Sequence, residues 1–273
     1  MRYLVTAISF LVLGLSPTGS LFAATPAQQG RAAELALQAL DDTLGYELVA
    51  SLTTEVGPRL AGTEVEQRAR DWAVERLQSL GFSNVRVEPF NVPVWVRGIE
   101  RAEITAPYPQ PLVVTALGGS VSTGPDGVEG EVAAYPSVAA LVAAPAETLR
   151  GKLVYIDEVM TRTQDGSGYS VAVAKRREAA YVAKEKGALA VLIRSVGTSS
   201  HRFAHTGQMR RFTEGGSSGV PAAALSAPDA DQLRRILNVR GTVRVKLVLT
   251  PELRPAGVSG NVIAEIPGRD APR

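Results

Sequence analysis

Two groups of prolines divide the chain into three segments, and this division constrains the fold more than any other feature of the sequence. The first group is Pro107, Pro109 and Pro111, and the second is Pro251 and Pro255. Each proline fixes its φ angle and lacks an N–H donor, so neither group is suited to the interior of a helix or a central strand. We therefore interpret both groups as domain boundaries.

The middle segment, residues 107–252, is predicted to be a small α/β domain. A helix from about Val173 to Lys186 lies between two predicted strands, as in a βαβ unit, and a second helix follows Pro228. The strands are predicted at Val128–Tyr135, Lys152–Asp157, Ala188–Arg194 and Thr242–Thr250.

The outer segments, residues 25–106 and 253–273, contain few predicted elements. The first is helical up to Gly81, where a left-handed cap is expected, and continues into a strand at Asn84–Phe90. The second contains one strand, Asn261–Ile266. These elements are too few to enclose a core, unless the two strands pair as a small completed sheet.

Several polar residues are predicted to stabilise element ends. Thr63 and Glu66 have the spacing of a capping box. Asp41-Asp42 precedes a helix that begins near Thr43, and Asp157-Glu158 follows a strand. We interpret the first acidic pair as a helix cap and the second as a solvated strand end.

The N-terminus is typical of a secretory signal peptide, residues 1–24. Arg2 precedes the uncharged apolar stretch Leu4–Leu15, and the small residues Ala23 and Ala24 provide a cleavage site. The apolar stretch is shorter than the ~20 residues of a membrane-spanning helix. The sequence thus predicts a periplasmic or secreted protein without a membrane anchor after cleavage.

The composition excludes several classes of function. The chain has no cysteine, which removes disulfides, thiolate metal sites and cysteine nucleophiles. Its net charge is +2 with arginines scattered among acids, and aromatic residues make up 5%. Nucleic-acid binding is therefore not expected, since it requires a basic surface or a stacking platform.

The two histidines, His201 and His205, are the only candidates for metal ligands of imidazole type. Their spacing would place both on one face of a helix, but the flanking glycines, serines and threonines predict a loop. No acid lies between them, and a catalytic zinc needs at least three ligands. The preferred readings are a structured loop or a loop that reaches toward a substrate, with metal binding as the third.

A set of ordered segments resembles a known family. The first is Leu-Thr-Thr-Glu-Val-Gly-Pro-Arg-Leu-Ala-Gly-Thr at Leu52–Thr63, and the last is Ser-Gly-Asn-Val-Ile-Ala-Glu-Ile-Pro-Gly at Ser259–Gly268. Between them come the helix with Trp72, Leu80-Gly81-Phe82, Val87–Phe90, Val94–Gly98, Gly197–Gly207 and Val220–Ala223. Together they resemble the N-terminal half of bacterial carboxypeptidase Q-like peptidases, which are secreted di-zinc exopeptidases.

The resemblance implies a fold and a cofactor. An α/β zinc-exopeptidase domain, incomplete in this chain, would be interrupted by an inserted protease-associated domain at residues 107–252 and resumed by the strand within 253–273. The family uses two zinc ions and peptide substrates, and a homodimer is compatible with it. Its first metal-binding motif follows that strand, so no catalytic or metal residue is assigned here, and this chain is not expected to bind zinc. The candidates for a substrate-side role are Arg59, His201, His205 and Arg210.

We therefore expect the N-terminal part of an exported zinc exopeptidase that hydrolyses small peptides, inactive as written. The alternative is a freestanding exported protease-associated domain that acts as a binding module without catalysis. An independent enzyme that uses His201 or His205 is a third reading.

Overall fold

A computed structural model of the protein describes residues 24–145, 148–210 and 219–268. The predicted signal peptide lies outside these residues except for Ala24. The described helices are α1 Pro26–Asp41, α2 Leu44–Ser51, a π-helix Leu52–Val56, α3 Glu64–Ser79, α4 Val138–Ala143, α5 Ser167–Ala172, α6 Ala174–Glu185 and α7 Ala227–Arg240. The described strands are β1 Ser83–Val96, β2 Glu100–Ala106, β3 Gln110–Leu112, β4 Val114–Ala116, β5 Val128–Tyr135, β6 Leu153–Ile156, β7 Ala190–Arg194, β8 Ala222–Leu225, β9 Arg244–Leu249 and β10 Glu252–Glu265. None of these helices is long and apolar enough to cross a bilayer.

The chain divides into two units, Met1–Glu55 and Val56–Arg273. In the first unit, the Thr25 side chain and Gln28 form a reciprocal capping box at the start of α1. Asp42 Oδ1 accepts a 2.7 Å hydrogen bond from the Leu44 N–H at the start of α2. This confirms the predicted capping role for Asp42, whereas Asp41 is the last residue of α1.

In the second unit, α3 begins with half of the predicted capping box. Thr63 Oγ1 accepts a hydrogen bond from the Glu66 N–H at 3.3 Å. The Glu66 carboxylate does not return to Thr63 and accepts instead from the Gly62 N–H at 3.2 Å. The helix ends as predicted, since Gly81 has a φ angle of 82°.

The predicted strands Asn84–Phe90 and Asn261–Ile266 pair with each other. They are parts of β1 and β10, which form a two-stranded antiparallel ribbon of 14 residues per strand. The described residues therefore adopt the alternative in which the two predicted strands pair as a small sheet. The helix α3 packs against both strands.

Pro255 lies within β10, which begins at Glu252, whereas the sequence predicted no strand before Asn261. The register of the ribbon shifts between Val92 and Val94, where Pro93 lies on one strand. Pro255 lies opposite, in the same irregularity. A bulge leaves residues out of the ladder, so prolines without an N–H donor are tolerated there.

The remaining eight strands form one sheet in the order β3-β2-β9-β5-β6-β7-β8-β4. The four strands β5, β6, β7 and β8 are parallel, and β6, α6 and β7 form the predicted βαβ unit. The sequence predicted that this domain begins at residue 107. In the structure its sheet already includes β2, which begins at Glu100. The reason for the difference is that Ala102 and Ile104 of β2 are buried in the core of the sheet, where β2 pairs with β9.

The sheet is curled so that its two edge strands meet. β3 and β4 stand at opposite ends of the strand order but are separated in the chain by Val113 alone. Consecutive Cα atoms are about 3.8 Å apart, which forces the two edges together. The closure is reinforced by Glu100 of β2, whose carboxylate accepts from Thr115 Oγ1 and the Ala116 N–H of β4, each at 2.9 Å.

Alternate residues of the strands fill two separate cores. Leu153, Tyr155 and Leu192 point into the interior of the curled sheet, together with Leu233 of α7. Their neighbours Val154 and Ile156 face outward and pack with other residues against α4, α5 and α6. This alternation with a period of two is what strands buried on both faces require.

We expect Leu192→Ala to destabilise the protein by about 2–5 kcal/mol, because it leaves a cavity in the interior of the sheet. The control is Val239→Ala on α7, whose side chain is 75% exposed and should change stability by less than about 0.5 kcal/mol. Urea denaturation followed by circular dichroism measures both. Equal losses for the two variants would contradict the interior position of Leu192.

Candidate functional site at the carboxyl ends of the parallel strands

The carboxyl ends of β6, β7 and β8 bring polar residues to one edge of the sheet. Asp157 and Glu158 follow β6, Arg194 ends β7, and Ser226 follows β8. In α/β sheets ligands bind in the crevice beyond these strand ends. A ligand site of the second unit is therefore expected at this edge.

Arg194 lies at the centre of an ion-pair network at this edge. Its side chain is 6% exposed, and it forms 2.8 Å contacts with Asp157 Oδ1 and with Asp231 Oδ1. Arg234 also contacts both acids, at 3.6 Å and 2.8 Å. Two cations thus balance two anions, as a buried charged group requires. The sequence interpretation of Asp157 as solvated is wrong, because its side chain is only 15% exposed.

Tyr155 of β6 also belongs to this network. Its hydroxyl donates a 2.6 Å hydrogen bond to Asp157 Oδ1. Burial, reinforced by the Asp157 charge, raises the pKa of the Tyr155 hydroxyl. The group therefore remains a donor at neutral pH and holds the carboxylate in place.

Lys175 of α6 is fully buried next to this network. Its ammonium group donates to the backbone carbonyl of Glu158. Burial lowers the pKa of Lys175 to about 8, against the opposing effect of the Glu158 charge. Among the residues that the structure describes, Glu158 Oε2 has no hydrogen-bond partner although it is buried.

The segment with the two histidines is a loop, as the flanking residues predicted. The Phe203 ring lies 5.8 Å from the His201 ring and 5.0 Å from the His205 ring, so the three rings form one aromatic cluster. His201 is exposed, whereas His205 Nε2 is buried without a partner among the described residues.

Arg202 anchors this loop to α7. Its guanidinium contacts the buried Asp229 carboxylate at 2.9 Å and also donates to the Pro111 carbonyl at 3.2 Å. The His205 N–H donates to Ser195 Oγ at 2.8 Å, just beyond the end of β7. The loop is thus fixed on both sides of Phe203, whose side chain is 48% exposed.

The other two predicted substrate-side residues lie elsewhere. Arg59 donates to the Gly57 carbonyl at 2.8 Å within its own turn. Arg210 pairs with Glu178 at 3.2 Å and lies over the Tyr181 ring. The structure therefore brings His201 and His205 into one aromatic cluster and joins neither Arg59 nor Arg210 to it by a described contact.

No group of three or more His, Asp or Glu side chains within residues 24–145, 148–210 and 219–268 is placed to hold a metal ion. The described part of the chain therefore presents no donor set that fits zinc, which needs three or four ligands.

Beside the Arg194 network lies a cleft of about 720 Å³. One wall comes from the segment after β6 and another from Gly197–Ser200, with the first turns of α7 completing the lining. Arg162 and Arg235 also line the cleft, and sequence analysis did not single them out. The only signal was the position of polar residues after successive parallel strands.

The chain is similar to peptidases of known sequence and structure. Carboxypeptidase Q of Bos taurus is 34% identical over 227 residues, which are 83% of this chain and 46% of that protein. The human and Xenopus laevis proteins of the same name are 33% and 31% identical. The chain spans about half the length of the curated relatives it matches. No protein-family model matches it.

Among solved structures, the peptidase M28 precursor of Shewanella amazonensis superposes with a TM-score of 0.80 at 47% identity, covering 86% of this chain and 53% of that one. A zinc aminopeptidase from Bacillus subtilis gives a TM-score of 0.51 at 19% identity, covering 80% of this chain and 45% of that one, and shows likeness of fold alone.

The lowered pKa of Lys175 predicts a specific pH dependence of stability. Between about pH 8 and about pH 10.4 the unfolded chain binds this proton and the folded protein does not. The wild type should therefore gain stability relative to Lys175→Met as pH rises through this window, by up to about 3 kcal/mol. Any effect of Tyr155 is common to both proteins and cancels.

Urea denaturation at pH 7.5, 9 and 10.5 measures this difference. The matched control is Lys184→Met, which removes an exposed ammonium group from the same helix and should show no comparable rise. A difference between wild type and Lys175→Met that stays flat over this range would contradict the buried position of the ammonium group.

Proposed function

Since the chain is homologous to carboxypeptidase Q over 83% of its length, we propose that it forms part of a zinc-dependent exopeptidase that hydrolyses small peptides. The observation that carries this proposal is one comparison: an M28 peptidase precursor is 47% identical in sequence to this chain and also superposes on it with a TM-score of 0.80. Both values extend over more than four fifths of the chain, so the likeness is not limited to one motif.

In this proposal the two parts of the second unit have different roles. The ribbon β1–β10 with α3 belongs to the peptidase domain. The curled sheet, which contains all eight strands from β2 to β9, is the inserted protease-associated domain. Supporting this division, the sheet encloses its own core, whereas the ribbon leaves large apolar side chains such as Leu253 exposed. The protein is exported to the periplasm or secreted by the segment 1–24.

The zinc ions of this peptidase are proposed to be held outside the described residues, since these offer no three-ligand group. Zinc would polarise the scissile carbonyl and activate a water molecule. The loop with His201 and Phe203 is proposed to contact the substrate instead. Its aromatic rings are fixed by Arg202 and partly exposed, which suits contact with a peptide side chain.

We expect the 273 residues alone to retain less than stoichiometric zinc after dialysis and to hydrolyse neither di- nor tripeptides with added zinc. The reason is that the sequence offers two histidines and no cysteine, and that no group of three or more possible ligands is placed to hold a metal among the described residues. Elemental analysis and a ninhydrin assay measure both properties. Stoichiometric zinc with turnover that His201→Ala abolishes would favour the independent enzyme instead.

A chimera tests the peptidase proposal directly. We expect this chain, joined to the part of the Shewanella amazonensis peptidase that it does not match, to restore zinc-dependent hydrolysis of dipeptides. Within the chimera, Phe203→Ala should raise KM about fivefold with little change in kcat, because it removes about 1 kcal/mol of aromatic contact. The control is Val239→Ala, on an exposed part of α7.

A chimera that folds and binds zinc but hydrolyses no peptide would contradict the peptidase proposal. An unchanged KM for Phe203→Ala in an active chimera would contradict only the role of the loop.

The alternative is a freestanding binding module. The observation that favours it is that the curled sheet has a closed interior core of its own and carries a cleft at its carboxyl edge. A chimera without activity, together with ligand binding by the chain itself, would support this alternative.

A further inference from the structure

The cleft beside Arg194 has the size and construction of a ligand site. Its volume is about 720 Å³, within the range of pockets that hold small organic ligands. Its floor is Arg194, whose side chain is held on two sides by Asp157 and Asp231. These two ion pairs fix the position of the Arg194 side chain in the lining.

The charges of the lining favour an anion. Arg162, Arg194 and Arg235 are the cationic residues of the lining, and Asp231 is the acid among these described residues. Arg194 and Asp231 already satisfy each other. Arg162 and Arg235 form no ion pair with any acid that the structure describes, and the contact of Arg235 is with Gln232 at 2.7 Å. Among the described residues, nothing therefore compensates two positive charges of the lining.

The rest of the lining favours an organic ligand over a small inorganic ion. Val159, Met160 and Pro228 provide apolar surface, whereas Thr198 and Ser199 provide hydroxyl groups that donate and accept hydrogen bonds. Guanidinium groups bind carboxylates through two parallel hydrogen bonds. A short peptide with acidic groups matches all three properties.

We propose that this cleft binds short acidic peptides, with Arg162 and Arg235 as the groups that bind their carboxylates. The lining includes neither His201 nor Phe203, and binding in the cleft does not depend on the proposed zinc chemistry. Binding is measured here without turnover, so its failure is distinguishable from failure of the peptidase proposal.

The experiment is calorimetric titration of the full chain with acetyl-Glu-Glu bearing a free carboxyl terminus, compared with acetyl-Gln-Gln amide. We expect the acidic peptide to bind and the neutral one to bind at least about tenfold more weakly, since charge-assisted hydrogen bonds are about twice as strong as neutral ones. The variant R162Q/R235Q should bind the acidic peptide about tenfold more weakly than wild type, for the same reason.

The matched control is R101Q/R150Q, which removes two exposed arginines that do not line the cleft. It lowers the net charge by the same amount and should leave binding within about twofold, because distant surface charges are screened by salt. All four substituted side chains are exposed, so both variants are expected to fold.

Three results would overturn the proposal. The first is equal binding of the acidic and the neutral peptide, or binding of neither at millimolar concentration. The second is equal weakening in both double variants, which would indicate a general charge effect. The third is competition by inorganic phosphate as strong as that by the acidic peptide, which would indicate an anion site without preference for a peptide.

Discussion

The closure of the curled sheet depends on one buried carboxylate, that of Asp229 in the first turn of α7. It accepts from the Val113 N–H at 3.1 Å, which fixes the single residue between the two edge strands. It also accepts from Ser226 Oγ at 2.5 Å and from Arg202 at 2.9 Å. A carboxylate that is 5% exposed is tolerable only when it is paired and hydrogen-bonded. The edge junction, the start of α7 and the aromatic loop are therefore positioned by the same group.

The charged residues at the carboxyl ends of the strands follow the same logic. Arg194 and Asp157 extend from buried strands, so each would be costly without the other. The charges of Arg194 and Asp157 cancel each other. The positive charge of the cleft lining then comes from the exposed side chains of Arg162 and Arg235. Fold stability and ligand recognition are thus assigned to different arginines, and this separation makes the variants of Arg162 and Arg235 informative.

Local patterns predicted much of this architecture. The strand signal at Val128–Tyr135 and the glycine at position 81 act within a few residues, and the structure has the strand and the left-handed cap where they were expected. The strand β9 that pairs with β2, and the strand β1 that lies opposite Pro255, are far away in the chain, and no local pattern contains them. The same holds for Asp157, because its burial depends on Arg194 and Arg234. Apart from the pairing of β1 with β10, which was given as an alternative, pairing across long sequence separations is the part that the sequence alone did not reveal.

The loop after β7 links the two proposed binding surfaces while keeping them distinct. Its first part, Gly197–Ser200, lines the cleft. Its last part is tied to the region of β4, where Thr206 Oγ1 donates to the Ala116 carbonyl at 2.7 Å and the Gly118 N–H donates to the Gly207 carbonyl at 2.9 Å. Between these parts, Arg202 holds the chain to Asp229, so Phe203 is presented from a fixed base. Because the cleft lining includes neither His201 nor Phe203, the two sites can be tested by separate substitutions.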